Sequence, residues 1–234
     1  MSRGGFSMFA FFKKNREEVR LKRLMEKFVG EAGAKLDINT KYEEKIVGLL
    51  LIRLNNYEQL CMNLNHDDLA CLLNTYYAKS VSCIHKYGGN VDNLMGSKVF
   101  AIFGAPVMDD DLDKNGILST IDILDVFEKH NTNTTNIDLH ISVTVYYNIG
   151  IAMVGNFGCK NRLTYTAIGN EVNMLFRYSK IINRNSIILN FRTLNIVRKY
   201  LGNNNFKIDK LPHGVMDDID DQGNIYEILQ IAGT

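Results

Sequence analysis

The stretch from Asp67 to Phe103 constrains the fold more than any other part of the sequence. Apolar side chains recur at helical spacing as far as Lys86 and predict one long amphipathic helix, which two glycines end. Two short apolar runs follow at once and are separated by Gly96–Lys98, a spacing that predicts a tight β-hairpin. A long helix that leads directly into a hairpin indicates a domain that combines helices with a sheet.

The segments on either side of this stretch add further strands and helices. An apolar run over 46–54 is typical of a buried strand. More strands are predicted over 139–147, 151–156, 163–168, 186–190, 206–211 and 224–229, and more helices over 117–129, 171–182 and 191–201. Their order and lengths predict one α+β domain with a mixed sheet over residues 41–234 and no internal repeat.

The N-terminal part differs in character from the predicted domain. Residues 1–15 form an aromatic and basic segment, and residues 16–40 are predicted to contain an amphipathic helix and a linker. Phe6–Phe12 contains four phenylalanines ahead of a basic run from Lys13 to Arg23, and this aromatic stretch is too short to span a bilayer. Two interpretations remain open, because the stretch could pack on a protein partner or contact the surface of an anionic membrane.

Charge and cysteine content narrow the class of protein. The net charge is only +1, so the chain lacks the overall basic footprint of a nucleic-acid-binding protein, and we expect no nucleic acid partner. The four cysteines form no CxxC pair, which favours a reducing compartment. We therefore expect a cytoplasmic protein that is free, peripheral at the inner face of a membrane, or attached to a larger assembly.

Three segments together resemble the class III adenylyl and guanylyl cyclases. They are KYGGNVDNLMGSKVFAIFGAP at Lys86–Pro106, VGNFG at Val154–Gly158 and RLTYTAIGNEVNMLFRYS at Arg162–Ser179. The match runs in the family's order from about Ile46 to Leu229. It implies the family's α+β fold, a ferredoxin-like βαββαβ core whose mixed sheet carries packed helices.

The resemblance places the family's two metal-binding aspartates at Arg53 and Ser97. In that family, two Mg²⁺ ions neutralise the charge that develops when a nucleoside triphosphate forms a cyclic nucleotide and pyrophosphate. Arginine cannot coordinate a cation, a serine hydroxyl is a poor sole ligand, and Lys98 adds another positive charge. We therefore expect no Mg²⁺ binding and no other cofactor.

Two alternatives to a blocked metal site remain open. Arg53 could end its strand with the guanidinium pointing to solvent, which would still leave the ligand missing. Asp92 or the acidic run Asp109–Asp111 could supply a substitute carboxylate. However, the acidic run is typical of a solvated helix lead-in, and Asp92 precedes the ligand position by five residues.

The positions that bind nucleotide in the family have changed as well. Asn93 and Thr166 stand where the family selects the purine base, and neither specifies one. Asp217 stands where the family has a lysine that binds the triphosphate, although Lys207 or Lys210 could compensate. A carboxylate at that position opposes phosphate, so we expect no tight nucleotide binding.

One pair of functional positions is retained. Asn173 and Arg177 match the family's asparagine and arginine, which orient the ribose and stabilise the transition state. Their i, i+4 spacing places both side chains on one face of a helix. A solvent-exposed polar face would produce the same spacing, so both interpretations stay open.

The resemblance leads to two hypotheses of different classes. Class III cyclases act as dimers whose sites combine metal aspartates from one chain with the asparagine and arginine of the other. A homodimer of this chain would lack metal carboxylates, so we expect no enzyme activity from the chain alone and favour a non-catalytic module that dimerises or binds a protein partner. Alternatively, the chain is the half of a heterodimeric cyclase that supplies Asn173 and Arg177.

Overall fold

A computed structural model describes residues 42–159, 162–180, 185–202, 206–211 and 225–230 of the chain. The N-terminal segment 1–15 and the amphipathic helix predicted within 16–40 lie outside the described residues. So does Asp217. Within the described part, no helix is long and apolar enough to cross a membrane.

Strands and helices alternate along the described chain. The strands are β1 (Glu43–Leu54), β2 (Asn90–Met95), β3 (Lys98–Phe103), β4 (Val143–Cys159), β5 (Arg162–Ile168), β6 (Ser186–Asn190), β7 (Phe206–Lys210) and β8 (Ile225–Gln230). The helices are α1 (Tyr57–Asn63), α2 (His66–Lys86), α3 (Leu112–Asn133), α4 (Asn170–Tyr178) and α5 (Phe191–Val197), with short 3₁₀ turns at Ile137–Leu139 and Arg198–Tyr200.

The strands form one mixed sheet in the order β2-β3-β1-β4-β6-β8-β7, and β5 pairs with β4. The β4–β6 pair is parallel, whereas β1 pairs antiparallel with both β3 and β4. The predicted hairpin is confirmed, since β2 and β3 pair antiparallel around a two-residue turn in which Gly96 has φ 55°. A glycine at the first turn residue adopts this conformation at little cost.

The two faces of the sheet are covered differently. Alternate residues of β1, namely Leu50, Ile52 and Leu54, belong to the main core, which also takes apolar residues from α2, α3 and α5. The other face is covered by α4, as the ring contact of Phe100 with Phe176 shows at 5.4 Å between centroids. Because successive strand residues point to opposite faces, Arg53 lies on the α4 face. The candidate site therefore lies beneath α4 and apart from the main core.

Several predicted boundaries are wrong. The two strands expected over 139–147 and 151–156 are one strand, β4, because Asn148 pairs with Leu49 and Gly150 with Val47 in an unbroken ladder with β1. Pairing with a neighbouring strand has overridden the local turn preference of Asn148 and Gly150. Helix α3 extends beyond the predicted range at both ends, α4 ends earlier than expected, and α1 was not predicted.

Candidate functional site

Arg53 lies at the junction of three strands on the α4 face. Its backbone pairs with Lys98 of β3 on one side and with Thr144 of β4 on the other. Thr144 in turn pairs with Ser186 of β6. Arg53, which the resemblance assigns to a metal aspartate, is therefore at the centre of the sheet, near the end of β1.

The guanidinium of Arg53 turns inward instead of toward solvent. Its Nη1 donates a hydrogen bond of 2.6 Å to the backbone carbonyl of Ser179, the residue that caps the C-terminal end of α4. The last carbonyl groups of a helix have no hydrogen-bond donor within the helix, so a cation at this end can bind them favourably. The alternative of a solvent-directed Arg53 is thus wrong, because its side chain joins β1 to α4.

Tyr146 and Glu227 extend a buried polar row beside Arg53. Burial raises the pKa of Tyr146 to about 12, and the nearby carboxylate of Glu227 acts in the same direction. The positive charge of Arg53, together with hydrogen bonds to Arg53 and Thr144, opposes this rise in the pKa. Glu227 is fully buried on β8, opposite Ile188, which pairs with Tyr146. Polar groups buried in this way stabilise a structure only when they are partnered.

Ser97 occupies the hairpin turn, where its backbone carbonyl is fully engaged. This oxygen accepts a hydrogen bond of 2.7 Å from the Leu54 amide and one of 3.1 Å from the Tyr76 hydroxyl. Tyr77 donates from the same helix to the Gly96 carbonyl. Two tyrosines of α2 therefore fix the turn that contains Ser97.

Lys98 adds an ammonium group beside this turn. Burial lowers the pKa of Lys98, and the positive charges of Arg53 and Lys180 lower it further. The Lys98 Nζ lies 5.5 Å from the centre of the Phe176 ring, a cation–π contact. Guanidinium and ammonium groups offer no lone pairs to a cation, so these residues do not fit Mg²⁺.

Among the described residues, acidic groups elsewhere do not assemble into a substitute. The Asp109 carboxylate accepts hydrogen bonds from the Asn115 side chain at 3.0 Å and from the Asp111 amide at 3.0 Å, within the lead-in to α3. Over the residues that the structure describes, no group of three or more histidine, cysteine, aspartate or glutamate side chains is placed to hold a metal ion.

Asp92 is paired with Thr166, which the sequence did not predict. The Thr166 hydroxyl donates to Asp92 Oδ2 and joins β2 to β5, while Asn93 is exposed. Burial raises the pKa of Asp92 to about 6, and the hydrogen bond from Thr166 partly opposes that rise in the pKa. The strand register shifts between Val91 and Asn93, so Asp92 lies in a bulge. A bulge has no clear local sequence signal, which is why Asp92 was considered only as a metal ligand.

The retained pair lies on the exposed face of α4. Asn173 and Arg177 are both exposed, whereas Val172 and Leu175 are buried against the sheet. The prediction that the two side chains share one helix face is confirmed. The backbone amide of Asn173 donates a hydrogen bond of 3.1 Å to the Gly169 carbonyl, which closes the first turn of α4.

The lysines suggested as substitutes for the triphosphate lysine lie on the edge strand β7. Lys207 forms an ion pair of 2.7 Å with Asp209, and Lys210 is exposed. The pairing of Lys207 with a neighbouring carboxylate reduces its availability to phosphate.

The arrangement of the sheet and α4 matches solved nucleotidyl cyclases. With the guanylyl cyclase Cya2, the TM-score is 0.69 at 22% identity over 81% of this chain and 94% of that one. With the adenylyl cyclase CyaB from P. aeruginosa, the TM-score is 0.70 at 20% identity over 82% of this chain and 98% of that one. With a non-canonical dimeric guanylyl cyclase domain of the RhoGC fusion protein from the aquatic fungus Blastocladiella emersonii, the TM-score is 0.66 at 16% identity over 82% of this chain and 98% of that one.

No protein-family model matches the sequence, and no curated protein matches it either. The likeness is therefore carried by structure at low sequence identity, and it establishes the architecture independently of the three sequence segments. The chain has the fold of class III adenylyl and guanylyl cyclase catalytic domains.

Proposed function

We propose that this chain is a non-catalytic cyclase-fold module that associates with a second protein chain. The observation that carries the proposal is the hydrogen bond from Arg53 to the Ser179 carbonyl. A lost aspartate alone would leave a vacant site. Here a guanidinium fills the position and holds α4 to the sheet, which gives it a structural role incompatible with a metal ligand.

Exposed apolar residues near one end of β1 support the association. Ile46 and Ile151 pair directly across β1 and β4, and their exposed fractions are 62% and 58%. Ile168 of β5 is 41% exposed and pairs with Met153, two residues along from Ile151. Large aliphatic side chains clustered on a surface are typical of an interface.

A turnover assay tests the loss of catalysis. The purified chain is incubated with ATP or GTP in Mg²⁺ or Mn²⁺, and we expect no cyclic nucleotide. Product that disappears with Asn173→Ala would contradict the proposal, because it would show that the family's transition-state position is active. The same assay on the Arg53→Asp, Ser97→Asp double variant asks whether two carboxylates are sufficient to restore metal binding.

A measurement of molar mass tests the association. We expect Ile151→Asp to shift the chain from dimer to monomer in light scattering, because a buried unpaired carboxylate opposes association. Ile137→Asp is the matched control, since Ile137 is 77% exposed in a 3₁₀ turn away from the paired isoleucines. A wild-type chain that is monomeric at all concentrations would exclude self-association and direct the search to a different partner.

The exposed pair Asn173 and Arg177 favours a second candidate, the metal-lacking half of a heterodimeric cyclase. In that case a cyclase chain that carries both aspartates would gain activity on mixing with this one. The expected signature is cyclic nucleotide formation that requires both chains and is lost with Asn173→Ala or Arg177→Ala. Failure of all such mixtures would leave the non-catalytic module as the better explanation.

A further inference from the structure

Four apolar side chains form one continuous surface where β1 begins, and we call Ile46, Ile151, Met153 and Ile168 the isoleucine face. Ile46 pairs with Ile151 across β1 and β4. Met153 is two residues further along β4 and pairs with Ile168 of β5. Residues that pair directly, or that lie two apart on one strand, point to the same side of a sheet. The isoleucine face therefore crosses three strands on the side of the main core.

The start of helix α3 explains why this face is uncovered. The Leu112 carbonyl, in the first turn of α3, accepts a hydrogen bond of 2.7 Å from the Tyr147 hydroxyl. Tyr147 in turn covers Gly48, because a methyl group on Gly48 would collide with the Tyr147 hydroxyl. Ile46 is the next residue of β1 on this side of the sheet, beyond the start of the helix. Ile46 and Ile151 are exposed for that reason.

Carboxylates border the isoleucine face. Glu44 is exposed and precedes Ile46 on the same side of β1. The loop that follows Gly104 carries the exposed Asp110 and Asp111. This loop begins beside the isoleucine face, because a Cβ atom on Gly104 would lie 3.7 Å from the Ile46 carbonyl oxygen. Among the described residues, none of these three carboxylates forms an ion pair.

The width and the charge of this surface indicate what would cover it. Three adjacent strands span about 10 Å, which is the width of one α-helix with its side chains. Helices already cover the remainder of this side of the sheet. Lys114 is exposed in the first turn of α3 and offsets one of the bordering carboxylates, so the border is net negative. A helix that fits there needs an apolar stripe against the isoleucines and basic residues beside that stripe.

We propose that the isoleucine face binds an amphipathic helix of a partner protein whose apolar stripe is flanked by lysine or arginine. This inference rests on the proposed function and names the chemistry of the partner. Ile46 and Ile151 would pack against the apolar stripe, and Glu44 would attract a flanking cation. A second copy of the chain that used the same face would compete with this helix.

Fluorescence anisotropy of a labelled synthetic helix, titrated with the full chain, tests the proposal. The lysine probe carries leucine at helical spacing with lysine beside it, and is about 18 residues long because shorter isolated helices are marginal in water. We expect a dissociation constant of about 1–100 μM in low salt, which weakens as salt is added. The glutamate probe keeps the leucines and replaces every lysine with glutamate. It should bind about tenfold more weakly, the effect of a few pairs of exposed charges.

Two variants with matched controls locate the binding surface. Ile151→Asp should weaken binding of the lysine probe by about tenfold or more, because it places a charge among apolar side chains. Ile137→Asp, in an exposed 3₁₀ turn, should leave binding unchanged. Glu44→Lys should weaken the lysine probe by about threefold and strengthen the glutamate probe, whereas Glu58→Lys should do neither. Glu58 is exposed in α1, which follows the opposite end of β1.

Several results would overturn the proposal. They are no binding of the lysine probe at about 100 μM chain, equal binding of the two probes, and binding that Ile151→Asp leaves unchanged. If Ile151→Asp fails to fold by circular dichroism, Ile168→Asp decides, since Ile168 is also exposed.

The same experiments separate a helix from a second copy of the chain. A chain that binds neither probe, yet is dimeric in light scattering and monomeric with Ile151→Asp, would show that a second copy occupies the isoleucine face and would overturn the proposal. The proposed function would survive that result, because its turnover and molar-mass assays do not depend on either probe. Binding of the lysine probe that Ile151→Asp and Glu44→Lys both weaken would support the helix.

Discussion

Replacing Arg53 with alanine should destabilise the domain by about 2–3 kcal/mol. The variant removes a charged hydrogen bond to the Ser179 carbonyl, which is worth about 1.5–3 kcal/mol when its partner stays unsatisfied. It also removes the positive charge and the hydrogen-bond donor beside Tyr146. Arg53 is only half-buried, so water can hydrate the groups that its side chain leaves behind. The free-energy contributions of the hydrogen bond and of the charge are therefore smaller than their largest values.

Urea unfolding followed by circular dichroism measures the effect, and thermal unfolding should show a decrease of about 4–12 °C in Tm for a domain of this size. Arg53→Lys should recover only part of the stability, since an ammonium group keeps the charge but lacks the planar donors. Arg192→Ala is the control, because Arg192 is an exposed arginine in the first turn of α5. A loss for Arg53→Ala no larger than for Arg192→Ala would refute the assignment of Arg53 as the group that fastens α4 to the sheet.

Three other expectations concern the described domain and its N-terminal extension. The folded-state pKa of Asp92 is raised to about 6, so its protonation stabilises the fold below about pH 4 and that contribution is lost as the pH rises through 6. Asp92→Asn should therefore abolish this part of the pH dependence of unfolding and raise stability at pH 7, because the amide oxygen of asparagine can still accept the hydrogen bond from the Thr166 hydroxyl. Gly116→Ala should cost about 1–3 kcal/mol, since the new methyl group would collide with the Tyr147 ring, and the cost should fall in a Tyr147→Leu background. Deleting residues 1–15 should raise solubility and remove partner or liposome binding while keeping the thermal transition, and loss of that transition would show that the segment belongs to the core.

Residue identities alone fixed the main chemical conclusion. An arginine side chain cannot coordinate Mg²⁺ and a serine hydroxyl is a poor sole ligand, so the expectation that positions 53 and 97 hold no metal needed only the sequence and the resemblance. The hairpin around Gly96 and the shared face of Asn173 and Arg177 were likewise predictable, because each depends on residues within a few positions of one another.

Which distant residue each side chain contacts was determined only by the tertiary structure. Arg53 binds the carbonyl of a residue 126 positions away, and Thr166 binds Asp92 across 74 positions, so neither partner could be found from local spacing. The sequence did not predict that β4 is continuous, for the same reason. Pairing with β1 keeps Asn148 and Gly150 in the strand despite their local preference for turns. Sequence patterns report which face a residue shares with its near neighbours, whereas contacts between distant segments depend on how the strands are ordered and paired in the folded sheet.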